Sequence, residues 1–569
     1  MNAAVLLLLG IAVLVCGYVF YGGWLAKTWG IDPARKTPAH EFQDDVDYVP
    51  SKTPVLMGHH FSSIAGAGPI TGPVQAAVFG WVPVMLWILI GGIFFGGVHD
   101  FGALFASIRH KGQSIGDIIG DTMGSAMKEL FSIFTYLTLL LVVAAFSSMV
   151  AGTFAATYTD AGVLDLAASA TNASTAMISL LFIIMAIVFG FMVYRRNAPL
   201  LISTIAGIVS IVAVIAIGLH FHPIYLPETT WMIIIGIYIG VASVVPVWLL
   251  LQPRDYLSSF LLYFMLGVAV VGIIASHPSI SVMPAFTGFF NEKQGFLFPA
   301  LFVTIACGAI SGFHSLVSSG TTSKQLDNEK NARPVAYGSM MIECVLGLCT
   351  ICAVGYLWSQ YQAGDVTNPM QVFSIGVSQM VATIPGLAGT QTVMQSLLIL
   401  AISVFCLTSL DTSTRLARYT FQELWLAPGE TVADAKGYKK LLVNPVFGTA
   451  VTVVLGVGLG MTGYINIWPL FGASNQLLAG VGLLAVATWL GKVGKNNKMF
   501  YIPMIFMMVV TVTSLVQTVI KNVTALTSGA CPDFGWSVAR TIIAVLLVVL
   551  ALILCFDALR TMMKQKKAA

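Results

Sequence analysis

The stretch Ser62-Ser63-Ile64-Ala65-Gly66-Ala67-Gly68-Pro69-Ile70-Thr71-Gly72-Pro73 interrupts an apolar run near 56–80, and its reading decides the fold. Two Gly-Pro pairs, Gly68-Pro69 and Gly72-Pro73, remove two backbone donors and add flexible joints. A simple proline kink is the plainer alternative. In hydrocarbon, freed amides and carbonyls must find partners, so non-helical backbone survives there only when buried in protein or lining a polar cavity. A second interruption lies in the run near 297–320: Gly308-Ala309-Ile310-Ser311-Gly312-Phe313-His314-Ser315, followed by Ser318-Ser319-Gly320-Thr321-Thr322-Ser323.

The chain around these stretches is overwhelmingly apolar. Of 569 residues, 57% are hydrophobic and 9% are charged, whereas a soluble domain carries roughly a quarter charged residues. A membrane-spanning helix needs about 20 mostly apolar residues. Fifteen stretches qualify, near 3–25, 56–80, 82–107, 127–157, 174–195, 198–219, 230–252, 256–276, 297–320, 335–358, 391–413, 444–463, 467–489, 499–520 and 537–559. Transmembrane barrels show weak short alternation instead. The expected class is therefore an all-α integral membrane protein with about 15 transmembrane helices. The first stretch reads as a retained helix, because no Lys or Arg precedes it and no small-x-small cleavage site follows.

Of the 28 basic residues, all but Lys293, Lys521 and Arg540 fall in alternate connections. That asymmetry places the N-terminus outside and the C-terminus in the cytoplasm. The span at 56–80 then runs outward and the one at 297–320 runs inward. Two broken helices of opposite direction point to a secondary transporter built from inverted repeats. The expected organisation is an N-terminal helix and cytoplasmic loop (1–55), a first repeat (56–219) and two additional helices (220–296). A second repeat (297–489) and C-terminal helices with a basic tail (490–569) complete it. Segments 114–126 and 366–386 are spaced like amphipathic helices at the interface, and the acidic run through Asp44, Asp45 and Asp47 reads as a solvated loop.

Half-helix N-termini offer free amides and the positive end of a dipole, which suit a carboxylate; unwound carbonyls suit a cation. The substrate-binding candidates are Gly66, Gly68, Pro69, Gly72, Pro73, His314, Ser315, Thr321 and Thr322. Thr408-Ser409-Leu410-Asp411-Thr412-Ser413-Thr414 surrounds one carboxylate with hydroxyls. Ala65, Ser409, Asp411, Thr412 and Ser413 are accordingly the coupling-ion candidates, either for sodium through hard oxygen ligands or for a proton on Asp411. Helix capping at a cytoplasmic end is the alternative for this cluster.

Ionisable groups at membrane depth are costly and mark function by default. His59, His60, His99, Asp100 and Glu343 form the candidate proton relay or gate, with His314 nearby. A metal or haem site and plain hydrogen-bonded packing are the competing roles for the histidines. No His-x-x-x-His spacing supports a metal, so neither a metal nor any cofactor beyond a coupling cation, H+ or Na+, is expected. The Cys349-x-x-Cys352 pair lies in an apolar helix and reads as core. No basic patch interleaved with aromatic residues supports nucleic-acid binding, and no phosphate-binding loop supports a primary pump.

With these motifs assembled, the chain resembles the carbon starvation protein (CstA) family. The resemblance rests on DYVPSKTPVLMGHHFSSIAGAGPITGPVQAAVFGWVP (47–83), GGVHDFGALFASIRHKGQSIGDI (96–118), SGFHSLVSSGTTSKQL (311–326), SLDTSTRLARYTFQE (409–423) and FGASNQLLAG (471–480). It implies uptake across the bacterial cytoplasmic (inner) membrane, of peptides during carbon starvation or of pyruvate with protons, on a fold related to the LeuT-like symporters. The expected activity is cation-coupled import of a small carboxylate, pyruvate or a short peptide, by alternating access. The rivals are a membrane haem or redox protein using the inner-side histidines, a receptor for extracellular carboxylates, and a channel. The expected partners are the solute and the lipid bilayer; the sequence leaves the oligomeric state open.

Overall fold

The computed structural model describes residues 2–44, 48–159, 161–196, 198–246, 249–305, 307–426, 432, 435–529 and 534–568. Asp45 and Asp47 lie outside the described residues. The fold is nearly all-helical; a two-residue antiparallel pair, Phe290–Asn291 with Gly295–Phe296, is the one sheet among the described residues.

Among the described residues, eleven helices are long and apolar enough to cross a membrane. In chain order these are α1 (Ala3–Trp29), α4 (Trp81–Arg109), α6 (Ser125–Phe154), α7 (Leu166–Val193), α8 (Leu201–His220) and α10 (Leu251–Ser276). The others are α13 (Glu329–Tyr356), α15 (Ala388–Glu423), α17 (Tyr464–Lys492), α18 (Lys498–Thr527) and α19 (Phe534–Asp557). The chain is thus a multi-pass membrane protein. Four of the fifteen stretches fall short as single continuous helices. Two are the shorter apolar helices α9 (Glu228–Val244) and α16 (Pro445–Gly460). Two are broken, into α2 (Thr53–Ala65) with α3 (Gly68–Ala76), and into α11 (Leu297–Thr304) with α12 (Gly312–Gly320).

Each break has a local cause. Gly66 ends α2 at φ +38°, a left-handed conformation that a side chain resists, and Pro69 restarts the chain at the first turn of α3. In the second break, Ile305 leaves helical geometry and Ser311 stays extended before Gly312 opens α12. The segments read as amphipathic form α5 (Ile115–Met123), begun by a Ser114/Asp117 capping box, and α14 (Pro369–Ala382). The span expected at 391–413 instead continues helically to Glu423. Arg415 and Arg418 therefore stand on a helix rather than in a loop, donating to the carbonyls of Ala242, Val245 and Ser243.

Packing follows a crossed pattern. The helix α17, whose most apolar stretch is entirely buried, lies against α4, α6 and α12. In the other half α10 lies against α2, α13 and α15. Helices α9 and α16 pack on each other and on both α6 and α15, whereas α7 and α8 pair with one another at the edge. The basic connections meet at one end of the bundle. There Arg109 binds Glu329 at 2.5 Å and the Gly30 carbonyl at 3.1 Å, and Lys492 donates to the Asp121 carbonyl.

Candidate substrate and coupling site

The two breaks face each other. A Cβ on Gly68 would come within 2.3 Å of the Cys307 Cβ, and one on Gly72 within 2.6 Å of the Thr304 carbonyl oxygen. A Cβ on Gly66 would meet the Phe146 ring at 3.1 Å and the Ser409 Oγ at 3.4 Å. The centre of the molecule is therefore bounded by both unwound segments, by α6 through Phe146 and by α15 through Ser409. The Ser409 hydroxyl donates to the Ser63 carbonyl at 3.3 Å, tying α15 to the last turn of α2. The hydroxyls of Ser62 and Ser63 are buried and have no hydrogen-bond partner. Ala65, Gly68, Pro69, Gly72 and Pro73 are all buried here.

Side chains of α17 satisfy the ends of the second break. Asn475 Oδ1 accepts from the Phe313 amide at 2.9 Å, and its Nδ2 donates to Ser311 Oγ at 3.0 Å. The neighbouring Gln476 Nε2 donates to the Phe302 carbonyl and, at 3.4 Å, to that of Ile305. Orphaned helix-end groups at this depth need such partners. Neither residue was singled out from the sequence, although two adjacent amides inside an apolar span were the visible signal.

The predicted relay residues His99, Asp100 and Glu343 share one buried network with His314. Asp100 on α4 is fully buried and lies 2.9 Å from His99 Nδ1 and 2.8 Å from His314 Nδ1 of α12. His314 Nε2 stands 3.5 Å from the Glu343 carboxylate on α13. His60 on α2 bonds Thr322 through Nδ1 at 2.8 Å. His314, expected to hold substrate, is thus committed to the Asp100 network, and Thr322 to its bond with His60. Ser315 donates to its own helix at the Gly312 carbonyl. Thr321 lines a cavity of about 310 Å³ that opens among Tyr48, Thr135, Thr412, Arg415 and Glu423, toward the basic end.

A second cluster surrounds Asp411. Its carboxylate is paired with Arg254 of α10 and accepts from the Tyr238 hydroxyl of α9 at 2.8 Å. Arg254 also reaches Asp255 at 3.4 Å, and Asp255 lies 3.2 Å from His59, which is thereby tied to this cluster. Thr412 keeps an unpartnered hydroxyl, and Ser413 donates to the Leu410 carbonyl. Arg254, only 1% exposed, looked in the sequence like one basic residue of a connection.

Apposed helix breaks inside a many-helix bundle, with buried charge on either side, define a membrane transport protein. The chain superposes on the Eremococcus coleocola manganese transporter with a TM-score of 0.50, covering 91% of this chain and 99% of that one at 11% identity. At that identity the likeness shows the shared fold alone. The chain belongs to the carbon starvation protein CstA family, which it matches over residues 2–366 and 358–514. It is 34% identical to a peptide transporter CstA of Campylobacter jejuni, over 91% of this chain and 80% of that one. It is 31% identical to a peptide transporter CstA of Bacillus subtilis, covering 98% and 97% of the two chains. To the pyruvate/proton symporter BtsT of Escherichia coli it is also 31% identical, over 89% and 80%. These relatives are transporters and not enzymes.

Proposed function

We propose that this protein imports a small carboxylate, pyruvate or a short peptide, by proton-coupled symport with alternating access. The observation that carries the proposal is the buried chain Asp100–His314–Glu343, which joins α4, the inner half-helix α12 and α13. An imidazole between two carboxylates offers a path along which a proton can pass. The cation site expected at Asp411 already holds the fixed guanidinium of Arg254, which supports a proton over sodium. The relatives named for peptides and for pyruvate both carry solutes bearing a carboxylate.

In this scheme the solute sits between the two breaks, against Gly66, Gly68, Pro69, Gly72 and Pro73, with Phe146 and Ser409 as its flanks. Ala65, Ser409 and Thr412 line the way from there to the basic end, and Asp411 anchors the wall. Opening toward the cytoplasm parts α2 from α12 at the His60–Thr322 contact. The chain crosses the bacterial inner membrane fifteen times, N-terminus outside and C-terminus inside. The crossed packing supports repeats made of α2/α3, α4, α6, α9, α10 and of α11/α12, α13, α15, α16, α17. The pair α7–α8 then stands as an insertion in the first repeat. This assigns α9 and α10 to the repeat where the sequence suggested α7 and α8.

Uptake of labelled pyruvate into proteoliposomes tests the proposal, with proton and sodium gradients imposed separately and dipeptides as competitors. Accumulation is expected with the inward proton gradient alone. Accumulation driven only by sodium would reverse the choice of ion, and no accumulation of pyruvate or dipeptide under either gradient would refute the symport.

A further inference from the structure

The described residues contain one group of Cys, His and acidic side chains arranged to hold a metal ion: Cys307, His314 and Glu343, whose donor atoms all lie within 4.8 Å of one another. We propose that these three side chains form a binding site for a single borderline-soft divalent cation, with Zn2+ as the matching ion. The site fastens the unwound segment between α11 and α12 to α13.

Several independent features converge on the same point. Ligand bonds of about 2.0–2.3 Å in a tetrahedral zinc site put donor atoms roughly 3.3–3.8 Å apart. His314 Nε2 and Glu343 already stand at 3.5 Å, and the Cys307 sulfur lies within 4.8 Å of both. His314 Nδ1 is held by the Asp100 carboxylate at 2.8 Å. With its proton on Nδ1, the ring turns the Nε2 lone pair toward Glu343 and Cys307. A carboxylate behind a ligating imidazole is the usual outer partner of a metal-bound histidine. His314 Nε2 and both Glu343 carboxylate oxygens are fully buried and have no hydrogen-bond partner. Buried polar atoms are rarely left so. A divalent ion would satisfy all three and offset the two buried carboxylates, Asp100 and Glu343. Thiolate, imidazole and carboxylate together suit zinc better than a hard ion such as magnesium or calcium.

The sequence conceals the site because its ligands come from an unwound segment and two helices, with Glu343 twenty-nine residues beyond His314. Its consequence is mechanical. An ion there links the second break to α13 and occupies the lone pair that a transported proton would use, so Zn2+ acts as a brake on the cycle. Ion binding itself stands apart from the symport reading, because it needs neither a particular solute nor a coupling ion.

The test uses the full-length protein in nanodiscs, stripped with chelator and then dialysed against Zn2+. The expected result is one Zn2+ per chain, and an X-ray absorption spectrum with one sulfur near about 2.3 Å and lighter donors near about 2.0 Å. Cys307→Ser should remove the sulfur shell and weaken binding at least about tenfold, and Glu343→Gln should weaken it by a similar factor. Absence of stoichiometric binding, absence of a sulfur shell in the wild type, or binding unchanged in C307S would each overturn the proposal. The wild-type spectrum decides the matter even if a variant fails to fold. Uptake assays are not needed for any of these readouts.

Discussion

Asp411 and Asp100 are both fully buried carboxylates, yet one is closed by an arginine and a tyrosine and the other by two histidines. Arginine keeps its charge at every pH the protein meets. Histidine can be charged or neutral. The Asp411 cluster joins α10 and α9 to α15, and both helices pack on α15. The Asp100 cluster joins α4 and α13 to α12, one half of a broken helix. The first arrangement behaves as a strut. The second is the relay of the proposed symport, set against one half of a broken helix.

The largest effect should come from breaking the strut. Arg254→Leu leaves the Asp411 charge buried and unpaired, at a cost of about 3–5 kcal/mol, and the expected outcome is loss of monodisperse protein and a much lower melting temperature. Replacing both partners with leucine should recover part of that loss, because Asp411 is no longer an orphaned charge, while Asp255 keeps only its contact with His59. If the single variant melts with the wild type, Asp411 does not carry the desolvated charge described here, and the contrast between the clusters collapses. The Asp100 cluster should fail differently. Asp100→Asn and Glu343→Gln are expected to cut proton-driven pyruvate accumulation by roughly 100-fold, while solute counterflow without a gradient persists. Retention of proton-driven accumulation in both variants would remove this cluster from the coupling mechanism.

How much of this was legible in the sequence depends on whether the signal was local. The break at Gly66–Gly68 is written in consecutive residues, since glycine and proline act on their own backbone. So are the apolar runs, although length alone gives eleven continuous spans and leaves α9, α16 and the broken pairs short of the criterion. The capping box at Ser114 is equally local. Partnerships across the bundle are another matter. Asp411 read as a coupling-ion ligand because its neighbours in the chain are hydroxyls, while its true neighbour Arg254 is 157 residues away. Asn475 and Phe313 are 162 residues apart. Helical periodicity says which face a side chain occupies but not which helix will face it, so His59 and His60, adjacent in sequence, end up in different clusters.

Smaller effects sharpen the comparison between a group sealed at the centre and one near the surface. Asn475→Ala strands the buried Phe313 amide, and a loss of about 1–3 kcal/mol is expected. A melting curve shared with the wild type would mean that the end of the second break is hydrated. Gly66→Ala forces a side chain into φ +38° and against the Phe146 ring. A cost of about 1–2 kcal/mol is expected from the backbone alone, together with slower exchange of solute in counterflow. At the far end of the scale stands the ion pair of Lys128 with Asp117, 2.7 Å long but with both side chains about one third exposed. Water screens such a pair, so Lys128→Ala should change stability by no more than about 1 kcal/mol. A melting shift as large as that of Arg254→Leu would show that burial does not separate the two classes of ion pair, and the distinction between strut and surface contact would have to be abandoned.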